Sequence, residues 1–350
     1  MTGVPASNAP DASGVAVPVT PPAPDAVPPA PASSGTAEVA TPFKSGFLTL
    51  VGRPNAGKST LLNTVMGQKV AIVSTTPQTT RHRFRAIVNA QDYQLVLVDT
   101  PGIHKPHDAL GEELNRSAVK ALEGIDVAAF VLDASAPFGS GDEWVLSTLG
   151  ATAARRMLVV TKIDLVDTQT VMTQKDAAWR AAERLCAQVP RRTAPFDAWV
   201  ALSARTGEHI DAFLTAASAL LPEGPRWFGP DMQTDQPLEV LVAEFIREKL
   251  LHTTFEEVPH AIGVALEELS FDKRRKLHTI RAIIYVEHDS QKGIVIGKGG
   301  GRIKQVGSEA RADLEVLLGT QVFLDLRVKV RRDWRRDANQ IRRFGYGEGL

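Results

Sequence analysis

Apolar positions along this chain follow two rhythms. Up to residue 202 they form short saturated runs (47–51, 127–133, 157–160 and 198–202), separated by stretches where apolar residues return every three or four positions. Saturated runs of this length suit strands covered on both faces, and the helical spacing between them supplies the crossovers of a parallel sheet. Two runs differ: 84–88 and 93–98 alternate across the short turn 89–92, which predicts an antiparallel hairpin entering the sheet. After the proline and glycine punctuation at 222–225 and 229–230 the rhythm changes. Residues 238–251 place Leu238, Val242, Phe245, Ile246 and Leu250 on one helical face. Strands are predicted around 261–266 and 279–286, then a helix over 302–318 and an alternating strand over 322–330 with Asp325, Arg327 and Lys329 on one side. The expected division is a tail over 1–43, a first domain over 44–222, a linker over 223–237, a second domain over 238–332 and a basic tail over 333–350.

Composition sharpens the two ends. The first forty residues are dominated by proline and alanine, with no aromatic residue and no lysine or arginine. Such a segment cannot bury a core and is expected to stay disordered and partly extended. It also lacks the basic start and unbroken apolar stretch of a secretory leader and the arginines of a mitochondrial one. With the single cysteine Cys186 and no run of 18 apolar residues, a cytoplasmic chain is expected. Overall charge balances, with 40 basic and 40 acidic residues, but its distribution does not. Residues 231–270 carry nine acidic and two basic residues, and residues 271–350 carry ten acidic and 18 basic.

Chemistry concentrates where the saturated runs end. The run 47–51 opens into Gly52-Arg53-Pro54-Asn55-Ala56-Gly57-Lys58-Ser59, followed by Thr60 and a helical stretch that Gly67 stops. Strand, glycine-bounded loop and helix together make a phosphate cradle: backbone N–H groups of Asn55, Ala56, Gly57 and Thr60 line it, Lys58 adds a full charge, and the Ser59 hydroxyl can hold Mg²⁺. The run 93–98 ends in Asp99-Thr100-Pro101-Gly102, where the carboxylate can hold Mg²⁺ through water and the Gly102 N–H can meet a γ-phosphate. A polar stretch, 74–83, has no apolar period and is expected to be a mobile loop facing the phosphates. The run 157–160 ends in Thr161-Lys162-Ile163-Asp164, where a carboxylate can accept the two N–H donors of guanine and the Lys162 stem can cover the base. At Ser203-Ala204, after 198–202, a backbone N–H can reach the guanine oxygen. In this order, these segments resemble the five signatures of a GTPase built on an α/β P-loop fold, three-layered with a mostly parallel sheet.

Two positions depart from that pattern. Thr161 stands where asparagine is usual, so the amide donor pair is missing. Ile103 follows Gly102 where signalling GTPases carry a water-orienting glutamine, so hydrolysis is expected to be slow or to use another group. Asn55 is a candidate to hold K⁺ beside the phosphates, which would neutralise transition-state charge. His104 and His107 read as solvated loop histidines, with no cysteine or carboxylate cluster to complete a metal shell.

In the second domain, Gly297-Lys298-Gly299-Gly300 lies between two helical segments. It resembles the G-x-x-G loop with which KH modules clamp single-stranded nucleic acid, and the order helix, strand, strand, helix, helix, strand suits the α+β type II KH fold. Gly301 extends the glycine run and is expected to loosen the loop. The strip from Arg327 to Arg343, including Lys329, Arg331 and Arg332, holds eight basic and two acidic residues with Trp334 among them, an expected RNA footprint.

Taken together the chain resembles the Era family, bacterial GTPases with a C-terminal KH domain. Besides the motifs above, the resemblance rests on Gln78-Thr79-Thr80-Arg81-His82-Arg83, Leu221-Pro222-Glu223-Gly224-Pro225, Ile246-Arg247-Glu248-Lys249-Leu250-Leu251, Glu256-Glu257-Val258-Pro259-His260 and the stretch 290–300, and it spans roughly residues 44–346. It implies GTP and GDP as ligands, Mg²⁺ sensed by Thr80, and binding to the 3′ end of 16S ribosomal RNA during assembly of the 30S subunit. It further implies a monomer with peripheral contact to the inner face of the cell membrane. The rivals are an RNA-modification GTPase, for which no residual domain is left, and an RNA chaperone whose GTP site is only structural.

Overall fold

The saturated runs become the centre of a six-stranded sheet. In chain order the elements are β1 (Lys44–Val51), α1 (Lys58–Met66), β2 (Phe84–Asn89), β3 (Tyr93–Asp99), α2 (Ala109–Lys120), β4 (Val127–Asp133), α3 (Ser140–Leu149), β5 (Arg155–Thr161), α4 (Thr168–Cys186), β6 (Ala198–Ala201) and α5 (Ile210–Leu220). The computed structural model describes residues 42–106, 108–149, 152–187 and 194–346; the proline/alanine segment 1–41 and His107 lie outside the described residues. Strand order is β2-β3-β1-β4-β5-β6, with β2 antiparallel to β3 and the other pairs parallel. Alternate residues along the strands feed two cores. Leu48, Leu50, Leu95 and Leu97 pack under Leu61 and Leu62 of α1 and Phe213 and Ala217 of α5. On the other face Phe130, Leu132, Leu158 and Val160 meet Val145, Leu146 and Leu149 of α3 and Ala178 and Ala182 of α4. The expected three-layer domain is what forms.

Register sets the site. Leu50 pairs with Asp99, so β1 and β3 deliver the loop after Val51 and the Asp99 carboxylate to the same edge. Asp133 pairs with Thr161, which brings the ends of β4 and β5 alongside.

The second domain continues as α6 (Leu238–Thr253), α7 (Val258–Ala261), β7 (Gly263–Asp272), β8 (Leu277–Val286), α8 (Asp289–Ile296), α9 (Gly301–Leu318) and β9 (Gln321–Val330). Its sheet runs β7-β8-β9, the first pair antiparallel and the second parallel. Helices cover one face: Val242, Phe245 and Ile246 of α6 and Val306, Ala310 and Leu314 of α9 pack on Ile280, Ile284 and Val322. The β7–β8 hairpin is longer than the alternation suggested, with an irregularity between Leu266 and Glu268. Its outer half is charged and exposed, so hydrophobic patterning could not mark it.

Two segments make contacts that the sequence pattern does not mark. The linker is not a free tether. Ile87 N–H donates to the Gln233 carbonyl (2.8 Å), Thr234 Oγ1 to Arg85 O (2.7 Å) and Gln236 Nε2 to Arg83 O (2.7 Å), while Gln94 Oε1 accepts from Trp227 and Phe228 N–H. The chain thus runs along β2 and covers an edge that would otherwise offer unpaired backbone groups. Nor is the C-terminal basic segment a solvated tail. It forms a short turn and α10 (Ala338–Arg343), and Trp334, Ile341, Phe344 and Tyr346 pack against Leu110 and Leu114 of α2. Four large apolar residues among the arginines carried that signal, and the charge count obscured it.

The expected mobile loop is likewise held. Just ahead of it, Lys69 pairs with Glu248 and Asp313, and Val73 bonds through both backbone groups to Glu248 and His252. Arg247 Nη2 donates to the Thr79 carbonyl. Arg81 is buried, donating from Nη1 to Ile262 O (2.6 Å) and from Nη2 to His260 O (3.0 Å), with its guanidinium over the rings of Trp334 and Tyr346. The stretch that reaches the phosphate loop is therefore also part of the contact between the two domains.

Candidate functional site

Where β1, β3, β5 and β6 end, the chain encloses a cavity of about 760 Å³. Pro54, Asn55, Gly57, Lys58, Ser59 and Thr60 line one part of it, Thr161, Lys162, Asp164 and Ala204 another, and Gln78, Thr79, Thr80 and Gly102 a third. Asn55 and Gly57 both have positive φ (63° and 94°), so the loop turns its N–H groups inward ahead of α1. Ala56 is buried beneath the loop. Gly102 is required by close approach: a Cβ there would lie 2.6 Å from Pro54 N and 2.7 Å from Pro54 Cα.

The Lys58 amine donates to Gly52 O (3.0 Å) and Arg53 O (2.9 Å), which holds it along the loop. Ser59 Oγ donates to Asp99 Oδ2 (2.5 Å) and lies 2.9 Å from Thr80 Oγ1. Asp99 Oδ1 is buried with no partner among the described residues. Two hydroxyls and a carboxylate with an unsatisfied oxygen form an all-oxygen set, which fits a hydrated Mg²⁺. Burial pushes the Lys58 ammonium down to about 8, with Asp99 opposing, and pushes Asp99 up to about 6, with Lys58 and the Ser59 hydroxyl opposing. Both groups are short of countercharge, which a phosphate chain with a divalent cation supplies.

At the other end, Asp164 Oδ1 accepts from Ser203 Oγ (2.6 Å). The Ser203 N–H is taken by Glu208 O (3.1 Å), so it is not free for a base; Ser203 positions Asp164, and the Ala204 backbone is what lines the cavity. Lys162 is tied to Asp133 (2.6 Å), a partner the motif does not include. Thr161 lines the cavity, but its side chain is engaged by the chain itself. Its hydroxyl is buried and lies 2.7 Å from Ala56 O and 3.1 Å from Leu132 O, tying β5 to the phosphate loop. Asn55 Nδ2 donates to Thr75 O (2.7 Å). Ile103 is buried in the second core, away from the cavity. His104 is not a solvated histidine, because both its ring nitrogens are bonded. Leu165 and His252 also line the cavity; no sequence motif marks either.

In the second domain, Gly297, Lys298, Gly299 and Gly300 join α8 to α9, with Lys298 exposed. A Cβ on Gly297, whose φ is 73°, would lie 2.8 Å from Arg302 Cβ. Gly301 takes helical angles (φ −60°, ψ −42°) and opens α9, so it does not lengthen the loop. The basic strip is divided. Arg327 and Lys329 stand on the sheet face away from the helices and pair with Asp325 and Glu267, whereas Leu324, Leu326 and Val328 face the core. Arg332 is exposed and Arg331 half-buried at the end of β9, and Arg335 bridges Glu287 to Asp108. Among the described residues no His, Cys, Asp and Glu cluster offers a further metal site, and no helix is long and apolar enough to cross a membrane.

Comparison with known proteins agrees with this geometry. Residues 47–162 match the family described as 50S ribosome-binding GTPase, and residues 257–335 match the KH domain. The chain is 44% identical over 310 residues to the GTPase Era of Mycobacterium tuberculosis, covering 87% of this chain and 100% of the relative. To that of Mycolicibacterium smegmatis it is 45% identical over 309 residues, with the same coverage. Among solved structures it is similar to Era in complex with MgGDPNP and nucleotides 1506–1542 of 16S ribosomal RNA (TM-score 0.80, 36% identity, 87% of this chain and 100% of that one). It is equally similar to a variant of Aquifex aeolicus Era bound to GDP and AlF4⁻ (TM-score 0.79, 36% identity, same coverage).

Proposed function

Since the chain belongs to the Era family of GTPases, we propose that it is a GTP-binding and GTP-hydrolysing switch whose KH domain binds the 3′ end of 16S ribosomal RNA and assists assembly of the 30S subunit. The observation that carries this is one cavity uniting Lys58, Ser59, Thr80 and Gly102 with Lys162, Asp164 and Ala204, beside a domain that presents an exposed glycine-bounded loop. Lys58 and the loop N–H groups hold the phosphates, Asp164 selects guanine, and Thr80 and Gly102 meet the γ-phosphate. Ser59, Thr80 and Asp99 hold Mg²⁺, which when bound neutralises charge on the β- and γ-phosphates. Asn55, its amide nitrogen engaged by Thr75, keeps Oδ1 for K⁺.

On the RNA side, the loop from Gly297 to Gly300 clamps single strand, and Arg331 and Arg332 extend the basic surface. Arg327 and Lys329 contribute a separate face. The protein acts as a cytoplasmic monomer with peripheral contact to the membrane. The test is multiple-turnover GTP hydrolysis with and without an oligonucleotide of the 16S 3′ end, in potassium and in sodium. Turnover raised by the RNA is expected. No turnover in any condition would favour a scaffold with a structural nucleotide, the reading that the buried Ile103 supports. Equal rates in the two salts would remove the Asn55 cation. Asp164→Asn should shift preference from GTP to xanthosine triphosphate, and unchanged GTP affinity would mean the base contact is misplaced.

A further inference from the structure

Ile103 is 1% exposed and sealed in the core, so the residue after Gly102 cannot touch a water at the phosphates. A carboxamide nevertheless stands beside Gly102, delivered from another strand connection. Gln78 lines the cavity with Pro54, Thr80 and Gly102, and its Nε2 is 2.6 Å from His104 Nε2. The other ring nitrogen, His104 Nδ1, is 3.0 Å from the Gly102 carbonyl oxygen. For a neutral ring these contacts assign the hydrogens. A carbonyl can only accept, so Nδ1 carries the proton; a singly protonated ring then accepts at Nε2, and only the NH₂ end of Gln78 can donate there. The Oε1 end, with no hydrogen bond among the described residues, is left as an acceptor on a side chain that lines the cavity.

The arrangement is held from both sides. His104 N–H bonds to Asn115 Oδ1 (3.3 Å), and Asn115 Nδ2 donates back to His104 O, which anchors the ring's backbone on α2. Gln78 sits at φ 61°, a left-handed conformation that a glutamine keeps only where its neighbours are fixed. They are: Thr79 Oγ1 donates to Thr76 O (2.5 Å), Arg247 grips the Thr79 carbonyl, and Thr80 meets Ser59.

We propose that Gln78, oriented by His104, aligns the attacking water in GTP hydrolysis, so that the pair performs the task Ile103 cannot. This rests on the GTPase reading above. Gln78 Oε1 accepts one hydrogen bond from the water and takes no proton. The water oxygen forms a bond to the γ-phosphorus as the bond to the β–γ bridging oxygen breaks. The bridging oxygen leaves with GDP, and the water's protons end on inorganic phosphate and solvent. Gln78 touches a reactant, whereas His104 is a positioning residue.

The test is single-turnover hydrolysis of GTP already bound to the full chain, for the wild type, Gln78→Met and His104→Phe, with affinity for a non-hydrolysable GTP analogue measured in parallel. Methionine keeps the length of the side chain and removes the acceptor. Gln78→Met should slow the bound-GTP step by about 10- to 100-fold, the scale of a misplaced reacting group, with analogue affinity changed less than about twofold. His104→Phe should slow it by a smaller factor. Both variants should lose GDP–AlF4⁻ complex formation while still binding GDP, a readout that a merely structural role would not move. A Gln78→Met rate within about twofold of wild type overturns the proposal, as does a rate loss matched by equal loss of analogue affinity with AlF4⁻ binding intact. No hydrolysis by the wild type would instead bring down the GTPase reading on which the proposal stands.

Discussion

Replacing Arg81 by methionine should loosen the contact between the two domains without unfolding either. The side chain is 1% exposed and sits next to Thr80. Its guanidinium serves two main-chain carbonyls of the KH domain, at Ile262 and His260, and faces the rings of Trp334 and Tyr346. Two hydrogen bonds from a charged donor contribute about 1.5–3 kcal/mol each, and removing the donor leaves both carbonyls without it. The cation–π contacts add roughly 0.5–2 kcal/mol. Against this, burial and the neighbouring Arg247 charge hold the Arg81 pKa below its ordinary value, so the charge itself is costly to enclose. The net is about 2–4 kcal/mol, roughly 30- to 700-fold in the docking equilibrium. Hydrogen exchange reads this directly. Amides at 334–346, packed on α2 through Trp334, Ile341 and Tyr346, should exchange faster by that factor in Arg81→Met, whereas amides of β8 in the KH core should not change. Arg81→Lys keeps the charge but loses the fork, and should fall between the two. Unchanged protection of 334–346 in Arg81→Met would refute the reasoning, since the guanidinium would then not be holding the segment in place. Equal acceleration of β8 would refute it differently, by showing global destabilisation.

Two further predictions concern the nucleotide cavity. Gly102→Ala must push against main-chain atoms of Pro54 at 2.6–2.7 Å, which cannot rotate away; the bound-GTP hydrolysis rate should drop at least about tenfold, measured as phosphate release, while GDP binding survives. Thr161→Val keeps the shape of a buried side chain and removes its contacts to Ala56 O and Leu132 O. It should cost about 1–2 kcal/mol of stability in chemical denaturation and quicken release of a fluorescent GDP; unchanged release would mean that this tie does not steady the phosphate loop.

Saturated runs mark the ends of β1, β5 and β6 in the sequence itself, because burial on both faces leaves a plain hydrophobic signature, and an alternating run marks the end of β3. Such patterning could not place partners that come from distant segments. Ser203 looked like a backbone donor and proves to be a side-chain support for Asp164, since its N–H is already used by Glu208. Thr161 lacks the amide donor pair of the usual asparagine, and only the fold shows its hydroxyl tied to Ala56 O. His104 looked solvated because the bonds from Gln78 and Asn115 cross 26 and 11 residues of chain. The C-terminal segment misled most. Its charge dominates any local average, and only the fold reveals that Trp334, Phe344 and Tyr346 share a surface with α2.

The strap along β2 sets the reach of the KH domain. It is fastened as far as Gln236, whose side chain holds Arg83 O, and α6 begins at Leu238. Only Pro237 lies between, so a spacer that counts as fifteen residues by sequence offers slack of about 7 Å at full extension. If the contacts around Arg81 part, the KH domain pivots about one short, stiff joint, and its first helix still begins within about 7 Å of the last fastened residue. It cannot roam. Its local concentration at the nucleotide-binding domain therefore remains high throughout the cycle, and re-docking does not have to wait on a diffusive search.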